Sequence, residues 1–252
     1  MIDVHCHLEQ PDYKKDREQV IEKCKKQLKA VITCCAHPDD FDLTMQMLEK
    51  HKNFLFTTVS IHPIHIEEVN NKQKEELLDL IIQNKDKING IGETGLDYYY
   101  YKDSKWQQKQ KELFVELISL AKELKKPIVV HSRDATENAI KILEQEDAKR
   151  VLMHLFGARH LLSRVLENNW FISVGPIAHR SKKHKKIVRD TPLENIFLET
   201  DSPWFGHEGK RNDPTAVLGV ANRIAEIKKL NLNEVDRTTT ENSIKFFDLK
   251  IK

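Results

Sequence analysis

The sequence lacks the features of a membrane or secreted protein. In its 252 residues no apolar run approaches the roughly 18 residues that suggest a membrane span. The opening segment, MIDVHCHLEQ, has neither the basic start nor the long apolar stretch of a signal peptide. Only four cysteines occur, and their spacing fits neither a disulfide framework nor a zinc knuckle. We therefore expect a cytoplasmic protein that does not associate with a membrane.

The sequence also lacks an excess of charge of either sign. Its 41 basic and 39 acidic residues leave a net charge of +2, which alone does not argue for nucleic-acid binding. A local basic cluster, SKKHKK at residues 181–186, can attract a phosphate backbone or can simply be a solvated helix face. No linker or low-complexity run divides the chain, so we predict a single domain over residues 1–252.

Short apolar runs alternate with longer charged segments that have the period of a helix. Strict alternation favours an α/β fold with a parallel sheet. Eight strand–helix units in roughly 250 residues favour a closed TIM (β/α)8 barrel over an open sheet. The predicted strands are Ile2–Cys6, Ala30–Cys35, Phe54–Ile61, Ile88–Gly92, Ile128–His131, Val151–His154, Trp170–Val174 and Asn195–Glu199.

Histidines and carboxylates stand where these predicted strands end. In a barrel those ends face one mouth, where active sites form. One histidine at a strand end is usually ordinary loop chemistry, but several on one barrel are not expected by chance. The residues that we predict to bind metal are His5, His7, Glu93, His131, His154 and Asp201.

The His-x-His spacing suits a metal site, because alternate side chains of a strand share a face. His5 and His7 can reach one ion while Cys6 turns away. Imidazoles suit zinc and manganese, and carboxylates can bridge two ions. The predicted donor set exceeds what one tetrahedral ion needs. We therefore predict two divalent ions, of zinc, magnesium or manganese, with Glu93 as the bridge.

The ordered set of motifs resembles one family. IDVHCHL, VSIHP, GETGLDYYY, HSRDA, MHLFG and ETDSPW follow one another as in the TatD-like metal-dependent deoxyribonucleases, which belong to the amidohydrolase-like barrel superfamily. The segments RNDP and TENSIKFF also fit the family pattern. One departure follows His154, where the usual Cys-Phe-Ser-Gly becomes Leu155, Phe156, Gly157 and Ala158. That change could reshape the substrate wall.

The resemblance implies a hydrolase that cleaves phosphodiester bonds of DNA, with a 3′–5′ exonuclease as one form of the activity. A hydroxide bridging the two ions would attack phosphorus. Glu93 and Asp201 would be the catalytic residues, and Asp201 would orient the water and transfer its proton. The implied ligands are His5, His7, Glu93 and Asp201 for one ion, and Glu93, His131 and His154 for the other.

Three further residues are predicted to bind the substrate. The planar fork of Arg133 suits a phosphate, although a structural salt bridge is the alternative. His62 is expected to line the pocket or to stabilise the turn at Pro63. Tyr98 begins a run of four tyrosines, whose rings can stack on a base or pack within their loop.

The same centre is compatible with other functions. A hydrolase of an amide, a lactone or an aminoacyl-tRNA ester could use it, because an activated water attacks carbon as well as phosphorus. Arg133 and the tyrosine run favour a phosphate and a base, so DNA is the expected partner. A non-catalytic metal-binding scaffold is a third possibility, against which the full donor set speaks. No obligate protein partner is evident.

Overall fold

The computed structural model describes residues 1–251. Eight parallel strands form one sheet in which each strand pairs with the next along the chain. This order confirms the predicted (β/α)8 barrel. The strands are β1 Ile2–Cys6, β2 Ala30–Cys35, β3 Leu55–Val59, β4 Gly90–Asp97, β5 Ile128–Arg133, β6 Val151–Met153, β7 Phe171–Val174 and β8 Ile196–Leu198. The helices are α1 Arg17–Lys25, α2 Phe41–Lys50, α3 Asn71–Gln83, α4 Ser104–Glu123, α5 Thr136–Gln145, α6 Leu162–Glu167, α7 Lys182–Asp190, α8 Val217–Lys228 and α9 Leu232–Phe247.

Two apolar layers hold the barrel together, because successive side chains of a strand point to opposite faces. In β5, Val130 packs outward among helix residues, whereas Val129 lies in the interior cluster. In β8, Leu198 faces outward and Phe197 inward. The strands are therefore covered on both faces, which explains why they are near-continuous apolar runs.

Aromatic side chains close the bottom of the barrel, the end at which the strands begin. Phe246 and Phe247, at the end of α9, join the interior cluster. The ring centroid of Phe197 lies 5.0 Å from that of Phe171 and 5.1 Å from that of Phe246. The last helix thus plugs the bottom and leaves the opposite end, the mouth, open to solvent.

The chain closes the barrel at the seam, the junction between β1 and the segment that follows β8. The carboxylate of Asp3 accepts hydrogen bonds from the amide of Thr200 at 3.0 Å and from its hydroxyl at 2.6 Å. The amide of Asp201 donates to the carbonyl of His5 at 2.9 Å. These contacts bring the first and last predicted metal ligands of the chain side by side.

The largest difference from the predicted strands is the length of β4. It was expected to end at Gly92 but continues to Asp97, so Glu93 lies within the strand. Gly92 and Gly95 have φ values of +154° and +139°, and a Cβ at position 95 would lie 2.1 Å from the carbonyl oxygen of His131. Only glycine allows this close pairing of β4 with β5.

Short 3-10 turns precede several of the helices. One spans Pro11–Tyr13, ahead of α1, and another, Pro214–Ala216, leads directly into α8. Across residues 1–251, none of the helices combines the length and the apolar character that crossing a membrane requires.

Candidate metal centre

The carboxylate of Glu93 lies at the middle of the mouth, and its two oxygens face different imidazoles. Its Oε2 atom lies 3.2 Å from Nε2 of His5 and 3.9 Å from Nε2 of His7. Its Oε1 atom lies 2.8 Å from Nδ1 of His131 and 3.6 Å from Nε2 of His154. One carboxylate is thus shared between two pairs of histidines.

Asp201 covers the same centre from the other side of the seam. Its Oδ1 atom lies 3.4 Å from Nε2 of His7 and 3.7 Å from Nε2 of His5. Its Oδ2 atom lies 3.9 Å from Nε2 of His154. The backbone of Asp201 is in the left-handed region, with a φ of 52°, which aspartate tolerates better than most residues. This turn directs the carboxylate back over the mouth.

Three of the four histidines are held by a second carboxylate on the far side of the ring. Such a partner fixes the orientation and the tautomer of the imidazole and leaves the other nitrogen free for a metal. Here the free nitrogens all face Glu93 or Asp201. The pairs are His7 Nδ1 with Glu9 Oε1 at 2.9 Å, His131 Nε2 with Asp97 Oδ2 at 2.9 Å, and His154 Nδ1 with Glu199 Oε2 at 2.8 Å.

The buried charges at the mouth are unbalanced, and the imbalance fits divalent cations. Six carboxylates are buried there, whereas no lysine or arginine is buried anywhere in residues 1–251. Burying carboxylates without positive charge is costly, so histidine protons or bound cations must compensate. In addition, Nδ1 of His5 is buried without a hydrogen-bond partner. The six carboxylates are Asp3, Glu9, Glu93, Asp97, Glu199 and Asp201. Burial raises the pKa of Asp3, at the seam, well above its ordinary value, so the need for compensation concerns the other five.

The pKa values of Glu93 and His154 show how strongly the charged groups of the centre interact. Burial opposes ionisation of Glu93, but His154, His62 and His5 outweigh it and hold its pKa well below the ordinary value. Burial likewise opposes a charge on His154, but Glu199 and Glu93 outweigh it and raise its pKa to about 10. Metal binding at such a site displaces the proton, because a coordinating imidazole must be neutral.

His62 combines the two roles that were considered for it. Its Nδ1 atom accepts a hydrogen bond from the amide of Ile64 at 3.2 Å, which stabilises the turn after β3. Its Nε2 atom points into the mouth, 3.5 Å from Oε1 of Glu93. Burial and repulsion from His131 lower the pKa of His62 to about 4. The ring is therefore neutral at pH 7, with its proton on Nε2.

Arg133 lies at the end of β5 and lines the cavity at the mouth. Its guanidinium lies 3.7 Å from the ring centroid of Tyr99, a cation–π contact. No carboxylate of residues 1–251 forms a salt bridge with it. The guanidinium therefore stacks on an aromatic ring instead of forming the alternative salt bridge, and its N–H groups stay available to a ligand.

The four tyrosines after β4 have separate environments. Tyr98, the one predicted to bind the substrate, packs against the core, and its hydroxyl accepts a hydrogen bond from Asn138 at 3.4 Å. Tyr100 lines the cavity instead. The hydroxyl of Tyr101 donates to the carbonyl of Ile64 at 2.9 Å. One tyrosine of the run therefore faces the cavity directly.

Sequence reasoning missed three of the buried carboxylates. Glu9 follows His7 by two residues, so the alternation that pairs His5 with His7 could have indicated it. Asp97 could be found only after the true end of β4 was known. Asp3 supports the seam through its bonds to Thr200 and carries no signal in the sequence. Glu199 stands at the end of the last predicted strand, in the motif ETDSPW that contains Asp201, and the structure places it against His154.

The centre forms the floor of a cavity of about 1370 Å³. Trp204 lies on one wall, with its ring 4.8 Å from that of His7. Arg133 and Tyr100 line a second wall, and the loop after β6 faces the start of α7 on a third. Such a cavity has room for a polymer end as well as for the scissile group.

Comparison with known proteins places the chain in a family. The family model for TatD related DNases matches residues 2–248. Human deoxyribonuclease TATDN3 is 34% identical over 258 aligned residues, which cover 98% of this chain and 94% of the human protein. YabD of Bacillus subtilis, an uncharacterised metal-dependent hydrolase, is 33% identical, and the alignment covers 98% of both chains. The crystal structure of YjjV, a TatD homologue from Escherichia coli, shares the fold with a TM-score of 0.90 at 24% identity and 98% coverage of both chains. The chain therefore belongs to the TatD related DNase family.

Proposed function

We propose that this chain is a divalent-metal-dependent deoxyribonuclease that hydrolyses phosphodiester bonds of DNA. The observation that carries the proposal is the position of Glu93, with each carboxylate oxygen facing its own pair of the predicted histidine ligands. The names of the relatives, a deoxyribonuclease and a metal-dependent hydrolase, point to the same chemistry. All four cysteines are free and buried, which suits the reducing cytoplasm.

Two divalent ions would suit this arrangement, and Glu93 would be a ligand of both. When bound, they would stabilise charge on the phosphoryl oxygens and increase the acidity of the attacking water. Zinc, magnesium and manganese are all candidates. The proposed ligands are His5, His7, Glu93 and Asp201 for one ion, and Glu93, His131 and His154 for the other.

The residues around the ligands have separate tasks in this proposal. Asp201 would orient the attacking water and accept its proton, because its carboxylate overhangs the centre. Asp97, Glu9 and Glu199 would keep the imidazole rings in place. His62 would donate a hydrogen bond from Nε2 to an oxygen of the scissile phosphate, and Arg133 would bind the phosphate with its fork.

The test is one assay on the purified chain. The protein is stripped with a chelator, each divalent ion is restored in turn, and cleavage of end-labelled single-stranded DNA is measured beside hydrolysis of an aminoacyl ester. We expect no cleavage without metal, recovery on DNA, and two ions per chain by elemental analysis. A 3′–5′ exonuclease would release the 3′ label first.

The control for this assay is Glu93→Ala, which should lose metal and activity together because both ions lose a ligand. Hydrolysis of the ester alone would overturn the proposal in favour of the second class of hydrolase. Full DNA cleavage by the metal-free chain would also contradict it.

A further inference from the structure

Two basic side chains of α7 lie over the loop that follows β6. A Cβ atom at position 157 would lie 3.5 Å from Nε2 of His184 and 3.6 Å from Nζ of Lys183. Gly157, Lys183 and His184 all line the cavity that has the metal centre at its floor. The tips of two basic side chains thus meet over one glycine, inside the cavity.

The hydroxyl of Ser181 holds the ring of His184 in place. Ser181 precedes α7, and its hydroxyl oxygen accepts a hydrogen bond from the amide of His184 at 3.3 Å. The same oxygen lies 2.8 Å from Nδ1 of His184, so Nδ1 is already hydrogen-bonded within the chain. Nε2, the atom over Gly157, is left to a ligand. It is a hydrogen-bond donor there when the ring is protonated or when its neutral form carries the proton on Nε2.

Neither donor has an acceptor within the described part of the chain. Nζ of Lys183 and Nε2 of His184 form no hydrogen bond or salt bridge with residues 1–251. The neighbouring cation, Arg159, is already neutralised by Asp190, at 2.6 Å. Water can solvate the exposed Lys183, and an anion in the cavity can replace that water and accept from both groups at once. A phosphate has the charge and the several oxygens that this requires.

We propose that Lys183 and His184 form a subsite for a phosphate of the DNA strand other than the one that is cleaved. The inference rests on the proposed nuclease function and adds the group that would distinguish a polymer from a small ester. The subsite lies beside the altered motif after His154, because both basic groups come within 3.6 Å of the Cβ position of residue 157. An internal phosphodiester linkage, rather than a base, is the group recognised.

The test uses single-stranded oligonucleotides with one neutral methylphosphonate linkage, moved stepwise along the strand. For the wild-type chain we expect one position, away from the cleaved bond, at which KM rises about tenfold and kcat is unchanged, the effect of one charge-assisted hydrogen bond. In the double variant Lys183→Gln with His184→Gln, KM for unmodified DNA should rise by a similar factor. The neutral linkage should then add nothing.

The matched control is Lys185→Gln, which removes the same charge from an exposed position of α7 outside the cavity. It should change KM by less than about twofold, because this side chain does not line the cavity. Bis(4-nitrophenyl) phosphate, which has no second phosphate, should be hydrolysed equally by all the variants.

Two results would overturn the subsite while leaving the nuclease proposal intact. One is an equal loss of DNA affinity in Lys185→Gln. That result would indicate a general electrostatic attraction of DNA to the positive charges of α7 and no defined subsite. The other is a methylphosphonate effect that persists in the double variant. If the wild-type chain cleaves neither DNA nor the small diester, the proposed function fails, and the subsite fails with it.

Discussion

At the bottom of the barrel the interior is aromatic and apolar, whereas at the mouth it is crowded with ionisable groups. Phe171, Phe197 and Phe246 pack with ring centroids 5.0 to 5.1 Å apart. At the mouth, six carboxylates are buried together with histidines. A single segment spans both environments, because Phe197 lies in β8 and Asp201 in the turn that follows it.

The two ends of the barrel have different tasks: the bottom stabilises the fold, and the mouth holds the groups for the chemistry. Burial of aromatic rings at the bottom stabilises the fold in proportion to the apolar area removed from water. Burial of carboxylates at the mouth opposes folding until positive charge compensates them. Changes at the mouth should therefore affect activity first, and changes at the bottom should affect stability first.

The largest expected effect is that of Asp201→Asn, which tests the mouth. Asparagine has the same shape and also tolerates the left-handed backbone at this position, so the fold is kept while the proton acceptor and one anionic ligand of the proposed metal site are lost. We expect kcat on DNA to fall by about a thousandfold or more, the scale of general base catalysis. The free energy of unfolding should change by less than about 1 kcal/mol.

Steady-state kinetics and urea unfolding of the same preparation check this variant. A wild-type rate in pure Asp201→Asn would remove Asp201 from the mechanism. If the variant lost its fold together with its activity, the mouth would also be needed for stability, which would contradict the different tasks assigned to the two ends.

Phe197→Ala tests the bottom and should have the opposite effect. It leaves a cavity among Phe171, Phe246 and Phe247, so we expect the free energy of unfolding to fall by about 3–5 kcal/mol. The kcat per folded molecule, with metal present, should stay close to the wild-type value. Phe197→Leu, which fills most of the space, should show the same pattern with a smaller loss of stability. A folded variant without its metal would show that the two ends are coupled.

Glu199→Gln should have the smallest effect of the three, because Glu199 acts on the proposed ligands indirectly, through its contacts with His154 and with the amide of Leu155. The amide keeps one contact with the ring but loses the charge, so metal affinity should fall by about 10- to 100-fold. Competition with a fluorescent chelator measures that affinity. Excess metal should restore most of the activity, which would not happen if Glu199 reacted with substrate.

Glu194→Gln is the matched control for this variant, because Glu194 is an exposed carboxylate just before β8. It should bind metal as the wild type does. Equal affinities in the two variants would show that Glu199 does not support the site.

The sequence was most informative where a local pattern decides the structure. The alternation of His5, Cys6 and His7 placed both imidazoles on one face, and in the structure their Nε2 atoms lie 3.1 Å apart. The alternating apolar runs likewise indicated eight strands. Parallel strands end at one mouth, so the convergence of distant residues followed from the topology.

The remaining features depend on contacts between distant segments. The extension of β4 through Gly95 requires the carbonyl of His131, which lies in another strand. Because that extension was missed, Asp97 was not recognised as the partner of His131. The side-chain directions of Tyr98 and Tyr100 follow from the same register. No periodicity in the chain carries this information.

The seam determines when, during synthesis and folding, the centre at the mouth can be completed. Asp3 and Thr200, which join across it, are 197 residues apart in the chain, so their contact forms late and only when β8 is present. During synthesis the His-x-His pair leaves the ribosome early and must wait for Asp201 to complete the centre. An incomplete chain therefore has no nuclease centre, and metal captured on completion would fasten the first strand to the last.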